Sequence, residues 1–178
     1  MLNKDDIEGY FKELNKRLGE AGIKGRILMA GGASMLTMFG VSESTLDIDA
    51  VFEPSKEMKE IAKRIANEND LEEDWLNDGV KGFIDTSKMK SVLYKEYSNL
   101  VVESIDAEGL LAMKVVSARN NGKDEEDLIA LMGYLNIGAA ENALDIAEKY
   151  MPERLLTAKS QYFTQEAFNK YIEGKRSR

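Results

Sequence analysis

The sequence predicts an α+β fold: a small mixed sheet with helices around it, then a helical C-terminal part. Three observations carry this. Short apolar or alternating runs near Arg26, Thr45, Val92 and Leu100 end at Gly, Pro or Asn, as strands do. Apolar residues at helical spacing precede, separate and follow them. Beyond Asp106 only helical periodicity remains. The expected division is an α/β core over residues 1–105 and a helical part over 106–178 packed on it as one compact unit.

The elements follow in order. Ile7, Tyr10, Phe11, Leu14 and Leu18 mark an amphipathic helix that stops near Gly19 and Gly22. Arg26 to Ala30 reads as a buried strand ending at Gly31-Gly32, and Ala33 to Phe39 as a short helix closed by Gly40. Thr45 to Phe52 alternates, with Leu46, Ile48 and Ala50 on one side and Asp47, Asp49 and Val51 on the other. Pro54 stops it. A helix over Ser55 to Asn67 follows, then a short helix over Leu71 to Asp78 around Trp75. Val92 to Tyr97 and Leu100 to Ile105 read as strands joined at Ser98-Asn99. Asp106 caps a helix running to about Asn120, and further helices carry the chain to a frayed tail at Lys175–Arg178.

Composition narrows the chemistry. The chain has 178 residues, 24 Lys plus Arg and 32 Asp plus Glu, for a net charge of −8. With 43% hydrophobic and 31% charged residues it is of ordinary globular composition, which excludes bulk disorder. The acidic balance argues against wrapping nucleic acid through net charge. Cysteine and histidine are both absent, which excludes disulfides, thiolate zinc sites and every mechanism with a histidine base. Chemistry here runs on carboxylates, lysine, arginine, hydroxyls and bound metal. Met1 to Gly9 is charged and has no apolar signal core, and the longest uncharged run, Ile27 to Ser42, is too short to span a bilayer. The expectation is a soluble, cytoplasmic protein with no membrane partner.

The informative stretch is Gly31-Gly32-Ala33-Ser34 followed by Thr45-Leu46-Asp47-Ile48-Asp49. Carboxylates at i and i+2 of a strand project from one face and can converge on a divalent cation. Two cations about 3.5–4 Å apart can hold both the attacking and the leaving oxygen of a phosphoryl displacement. The glycines let the backbone turn sharply and approach a ligand, the following helix offers free N–H groups to an anion, and Ser34 adds a hydroxyl. Taken singly, Asp-x-Asp is a solvated strand face and Gly-Gly a turn; together they outline a phosphate cradle opposite an acid pair.

Gly31-Gly32 through Asp47-x-Asp49 resembles the signature of the DNA polymerase β-like nucleotidyltransferase superfamily. Further elements are similar to one bacterial branch, the domain-of-unknown-function family 6036, related to the AbiEii-type nucleotidyltransferase toxins of toxin-antitoxin systems. They are Asp74-Trp75-Leu76-Asn77-Asp78, then Leu110-Leu111-Ala112-Met113-Lys114, Ala118-Arg119, Lys123-Asp124 and Asp127-Leu128. The resemblance covers roughly residues 5–165. It implies a nucleotidyltransferase fold, a mixed sheet carrying the acids and flanked by helices. It also implies Mg²⁺ (or Mn²⁺) as cofactor and a nucleoside triphosphate as substrate. Asp47 and Asp49 would bind the metal; Gly31, Gly32, Ser34 and Thr45 would contact the nucleotide. Lys114 would meet phosphate or form an ion pair with Asp124 or Asp127.

Two positions depart from the pattern. Where relatives often carry Arg, two residues before Thr45, this chain has Glu43. Active members also place a third carboxylate on a later strand; Glu103 is the first candidate for that catalytic role and Asp85 the second. Trp75, the only tryptophan, reads as a packing residue, with stacking on a nucleobase as the alternative.

The leading expectation is therefore a Mg²⁺-dependent nucleotidyltransferase. Its acceptor is a protein, a tRNA end or a small hydroxylated molecule. The alternatives are a binding or regulatory module of the same fold with catalysis weakened, and a homo-oligomerisation domain using the C-terminal helices.

Overall fold

In the computed structural model, which describes residues 1–117 and 122–176, the chain divides into two units. The first comprises Met1–Ile84 and Ser91–Ile105, the second Asp85–Lys90 and Asp106–Arg178.

The first unit begins with α1 (Lys4–Glu20), opened by a capping box in which the Asn3 side chain accepts from the Asp6 N–H and the Asp6 carboxylate from the Asn3 N–H. Ile7, Phe11, Leu14 and Leu18 form its buried stripe. Five strands follow: β1 (Gly25–Met29), β2 (Ile48–Glu53), β3 (Leu76–Asn77), β4 (Ser91–Glu96) and β5 (Leu100–Ile105). They make one mixed sheet in the order β3-β2-β1-β5-β4. β1 runs antiparallel to β2 and parallel to β5; β3 is parallel to β2, and β4 antiparallel to β5. Between β1 and β2 lies a short helix, α2 (Gly31–Ser34), which runs on as a π-helical turn over Met35–Phe39. α3 (Ser55–Glu68) packs beside α1, burying Met58, Ile61, Ala62 and Ile65.

Both helices belong to a core with Ile27, Met29, Ile48, Ala50, Phe52, Leu100 and Val102. These are alternate residues of β1, β2 and β5, so one face of the sheet is apolar and covered. By the registers, Arg26, Leu28, Asp49, Val51, Val101 and Glu103 share the other face. The α+β architecture with a mixed sheet and flanking helices is thus the one expected.

Two expected elements differ. β2 begins at Ile48, not Thr45, and Leu46 is 75% exposed rather than turned inward. Thr45 instead forms an isolated antiparallel bridge to Leu2 and leaves the ladder. The helix expected over Leu71–Asp78 is replaced by β3, because the Trp75 carbonyl accepts a hydrogen bond from the Ile48 N–H at 2.7 Å and draws the segment onto the sheet.

The second unit contains α4 (Ala107–Ser117), α5 (Lys123–Tyr134), α6 (Ala140–Tyr150) and α7 (Ala158–Arg176). Asp106 caps α4 by accepting from the Gly109 N–H at 2.8 Å. α4 packs against the other three helices and is apolar on most sides, as its central place demands. The expected end of α4 near Asn120, the Ala118-Arg119 element and the tail residues Ser177 and Arg178 lie outside the described residues. Among the described residues no helix is long and apolar enough to cross a membrane.

Candidate functional site

The site is built where β1 gives out. The Ala30 N–H donates to the Asp49 carbonyl at 2.8 Å, and the chain then turns at Gly31 with φ +57°. A side chain at that φ is strained, so glycine is required there. Space is tight as well: a Cβ on Gly31 would stand 3.0 Å from Asp49 Oδ2, so the carboxylate would have to give way by a few tenths of an ångström. One residue on, a Cβ on Gly32 would stand 2.7 Å from Thr45 Oγ1. The glycine bend therefore lies directly against the Asp-x-Asp segment. Leu2, itself buried, pins that segment by exchanging backbone hydrogen bonds of 2.7 and 2.9 Å with Thr45. The Thr45 hydroxyl donates to the Asp47 carbonyl at 3.2 Å.

Asp49 lies on β2 and Asp47 one step before it, both partly buried. Burial, then the neighbouring Asp49 and Asp74 carboxylates, push the Asp47 carboxyl up from its ordinary value. The Asn77 side-chain amide opposes this, donating from Nδ2 to Asp47 Oδ2 at 3.0 Å. Among the described residues neither acid of the pair joins an ion pair, and no group of three or more acids is placed to hold a metal. The donor set is two hard carboxylate oxygens carrying uncompensated charge. It fits Mg²⁺ or Mn²⁺, which are commonly held by one or two carboxylates with substrate phosphates completing the shell.

The other expected residues are placed as follows. Ser34 is fully buried, and its hydroxyl oxygen accepts from the Ser104 hydroxyl at 2.9 Å. Glu103 shares the face of Asp49, but β1 lies between their strands, and its register partner on β1 is Leu28, two residues before Ala30. Its carboxylate accepts from Arg26 Nε and, at 2.8 Å, from the Ser91 hydroxyl; the Arg26 guanidinium holds it below its ordinary value. One step along the β1–β5 register from Met29–Ser104, the β5 residue level with Ala30 and Asp49 is Ile105, which is buried and apolar. Asp85 and Lys114 belong to the second unit. The Asp85 carboxylate accepts from the Ser87 N–H and hydroxyl. The Lys114 ammonium lies 2.7 Å from Asp124 Oδ1 and 2.6 Å from Asp127 Oδ2. Glu43 is exposed on the segment leading to Thr45. Trp75 is 1% exposed and donates from Nε1 to the Ala62 carbonyl at 3.0 Å, so it is a core residue.

Asn77 makes a contact to Asp47 for which residue patterns alone offered no role. Its signal was present in Trp75-Leu76-Asn77-Asp78, but only the parallel pairing of β3 with β2, Asp49 opposite Asn77, brings it to the acids. Comparison with known proteins finds no match: no family model, no curated protein and no solved structure is similar to this chain.

Proposed function

We propose that the first unit is a nucleotidyltransferase domain of the polymerase β-like kind, acting on a nucleoside triphosphate with Mg²⁺ or Mn²⁺. The observation that carries the reading is the close approach of the glycine bend to the segment bearing the acids, Gly31 to Asp49 and Gly32 to Thr45. On this reading the glycine backbone amides and the two carboxylates would meet the same ligand. A bare triphosphate would be repelled by the carboxylates, and a bare cation gains little from the amides; a metal-loaded triphosphate suits both.

In the reaction an acceptor hydroxyl would give its proton to solvent as its oxygen forms a bond to the α-phosphorus, the bond from that phosphorus to the bridging oxygen breaks, and pyrophosphate leaves with the electron pair. A bound cation would supply charge neutralisation on the phosphate oxygens. Asp47 and Asp49 would hold that cation, and the Gly31-Gly32 backbone would position the phosphates. The acceptor class is a hydroxyl of a protein, a tRNA end or a small molecule, and a toxin-like role is one setting for such transfer.

Thermal unfolding with Mg²⁺ and each nucleoside triphosphate tests this. A ligand at 100 times its dissociation constant adds about 2.7 kcal/mol. Stabilisation is expected only with both components present and is absent in Asp47→Ala. Asp49→Asn is expected to abolish transfer and to leave the fold nearly intact. Global unfolding of that variant, or stabilisation indifferent to Mg²⁺, refutes the reading.

One observation favours a second reading, a nucleotide-binding or regulatory module with catalysis weakened. The β5 position level with Asp49 is Ile105, and Glu103 is already engaged by Arg26 and Ser91. Tight Mg²⁺-dependent nucleotide binding without pyrophosphate release in any acceptor screen would select it.

A further inference from the structure

We propose that Asn77 is a positioning residue, which fixes the Asp47 carboxylate in one orientation by donating to its Oδ2 while the Gly79 N–H holds the other end of the amide. The inference rests on the reading of Asp47 and Asp49 as metal ligands and adds to it a residue with a distinct task.

The amide has only one workable orientation. Asn77 Oδ1 accepts from the Gly79 N–H at 3.0 Å, and a backbone N–H is a donor only. Nδ2 must therefore be the end that meets Asp47 Oδ2 at 3.0 Å. The amide is a strut between a backbone turn and an acid, not a surface side chain that happens to lie nearby.

The strut stands on a firm base. β3 is two residues long and would not hold itself. Trp75, just before it, is buried, with its indole N–H on the Ala62 carbonyl and its own carbonyl accepting from Ile48. Just after it, Asp78 pairs with Lys59 at 2.8 Å and Lys81 at 3.2 Å. Asn77 is thus clamped on both sides and placed opposite Asp49 in the β2–β3 register. Asp47 precedes β2 and has no ladder neighbour of its own to fix its side chain. It also sits half-buried near two like charges, so an unrestrained carboxylate would swing away from them. A neutral donor restrains it without neutralising it, which a lysine in that place would do.

The test uses Mn²⁺ binding to the full chain, read by electron paramagnetic resonance with and without nucleoside triphosphate, alongside thermal unfolding. Asn77→Ala removes the strut. Asn77→Asp keeps its shape and its acceptor for the Gly79 N–H but puts an oxygen where the donor was. Both are expected to weaken Mn²⁺ binding about tenfold or more, the scale of losses when a partner of a metal ligand is removed. Asp78→Asn, which disturbs only the neighbouring ion pairs, is expected to bind Mn²⁺ as the parent does. Asn77→Asp binding as tightly as the parent, or tighter, overturns the proposal. So does unchanged binding in Asn77→Ala, or an equal loss in Asp78→Asn, which would make the segment merely structural. A parent chain that binds no Mn²⁺ under either condition refutes the metal reading itself and this inference with it, an outcome distinct from the others.

Discussion

Gly31 and Asp49 are packed so closely that a Cβ on the first would stand 3.0 Å from Oδ2 of the second. Gly31→Ala therefore meets two costs. The φ of +57° disfavours an L side chain by roughly 1–2 kcal/mol, and the methyl group displaces the carboxylate. The variant is expected to lose about that much stability in urea unfolding. If the proposed function holds, it is also expected to lose stabilisation by Mg²⁺ with nucleoside triphosphate. Retained stabilisation would separate the bend from the binding site.

Gly32 gives a test with an internal rescue. Its added Cβ would meet Thr45 Oγ1 at 2.7 Å and Thr45 Cβ at only 3.5 Å, an ordinary contact. Gly32→Ala is expected to be destabilised by about 1 kcal/mol, and Thr45→Ala in the same chain restores most of that loss. A double-mutant cycle by thermal unfolding measures the coupling; strict additivity would mean the two residues do not touch.

These contacts show which part of the site could be read from residues alone. The alternation Asp47-Ile48-Asp49 and the paired glycines were visible because both are local patterns. That Leu46 leaves the alternation was not, since it follows from Thr45 bridging to Leu2, far away in sequence. The stretch Leu71 to Asp78 carries helical spacing, yet the hydrogen bond from Ile48 to Trp75 makes it a strand, because tertiary pairing overrides a weak local preference. Glu103 shows the same limit. Its face followed from alternation along β5, but its level relative to Asp49 depends on the β1–β5 register, which no single strand encodes. Asn77 sits in Trp75-Leu76-Asn77-Asp78, but its task follows only from the pairing of β3 with β2, which local pattern does not encode.

Lys114 is committed to two carboxylates inside the helical unit. Its side chain is 12% exposed and that of Asp127 is 1% exposed. Burial alone pushes the ammonium down, but the contacts to Asp124 and Asp127 outweigh it and the net direction is up. For a raised lysine the linkage is full below the unfolded value, about 10.4, and lost as pH climbs through the folded value. Alkaline loss of stability in α4 and α5 is the expected signature. Lys114→Met leaves the Asp127 carboxylate buried without its cation. It should cost about 3 kcal/mol at neutral pH, read by amide exchange in α4 and α5, and abolish the alkaline transition. Little change in exchange would mean that the lysine is not held by the pair.

Glu103 is expected to matter for the sheet more than for the cation. Its strand is two strand spacings from β2, each about 4.8 Å, and its carboxylate is taken by Arg26 and Ser91. The Arg26 contact holds its carboxyl below the ordinary value, so the stabilisation is present above the unfolded value, about 4.3, and lost as pH falls through the folded one. Arg26 is 62% exposed, which limits the effect of Glu103→Gln to no more than about 1 kcal/mol at neutral pH. That difference from the parent vanishes in acid. Mg²⁺-dependent nucleotide stabilisation should be unchanged in Glu103→Gln. If it is lost while the fold holds, the carboxylate reaches the cation after all, and the separation of β5 from the acid pair does not describe the loaded site.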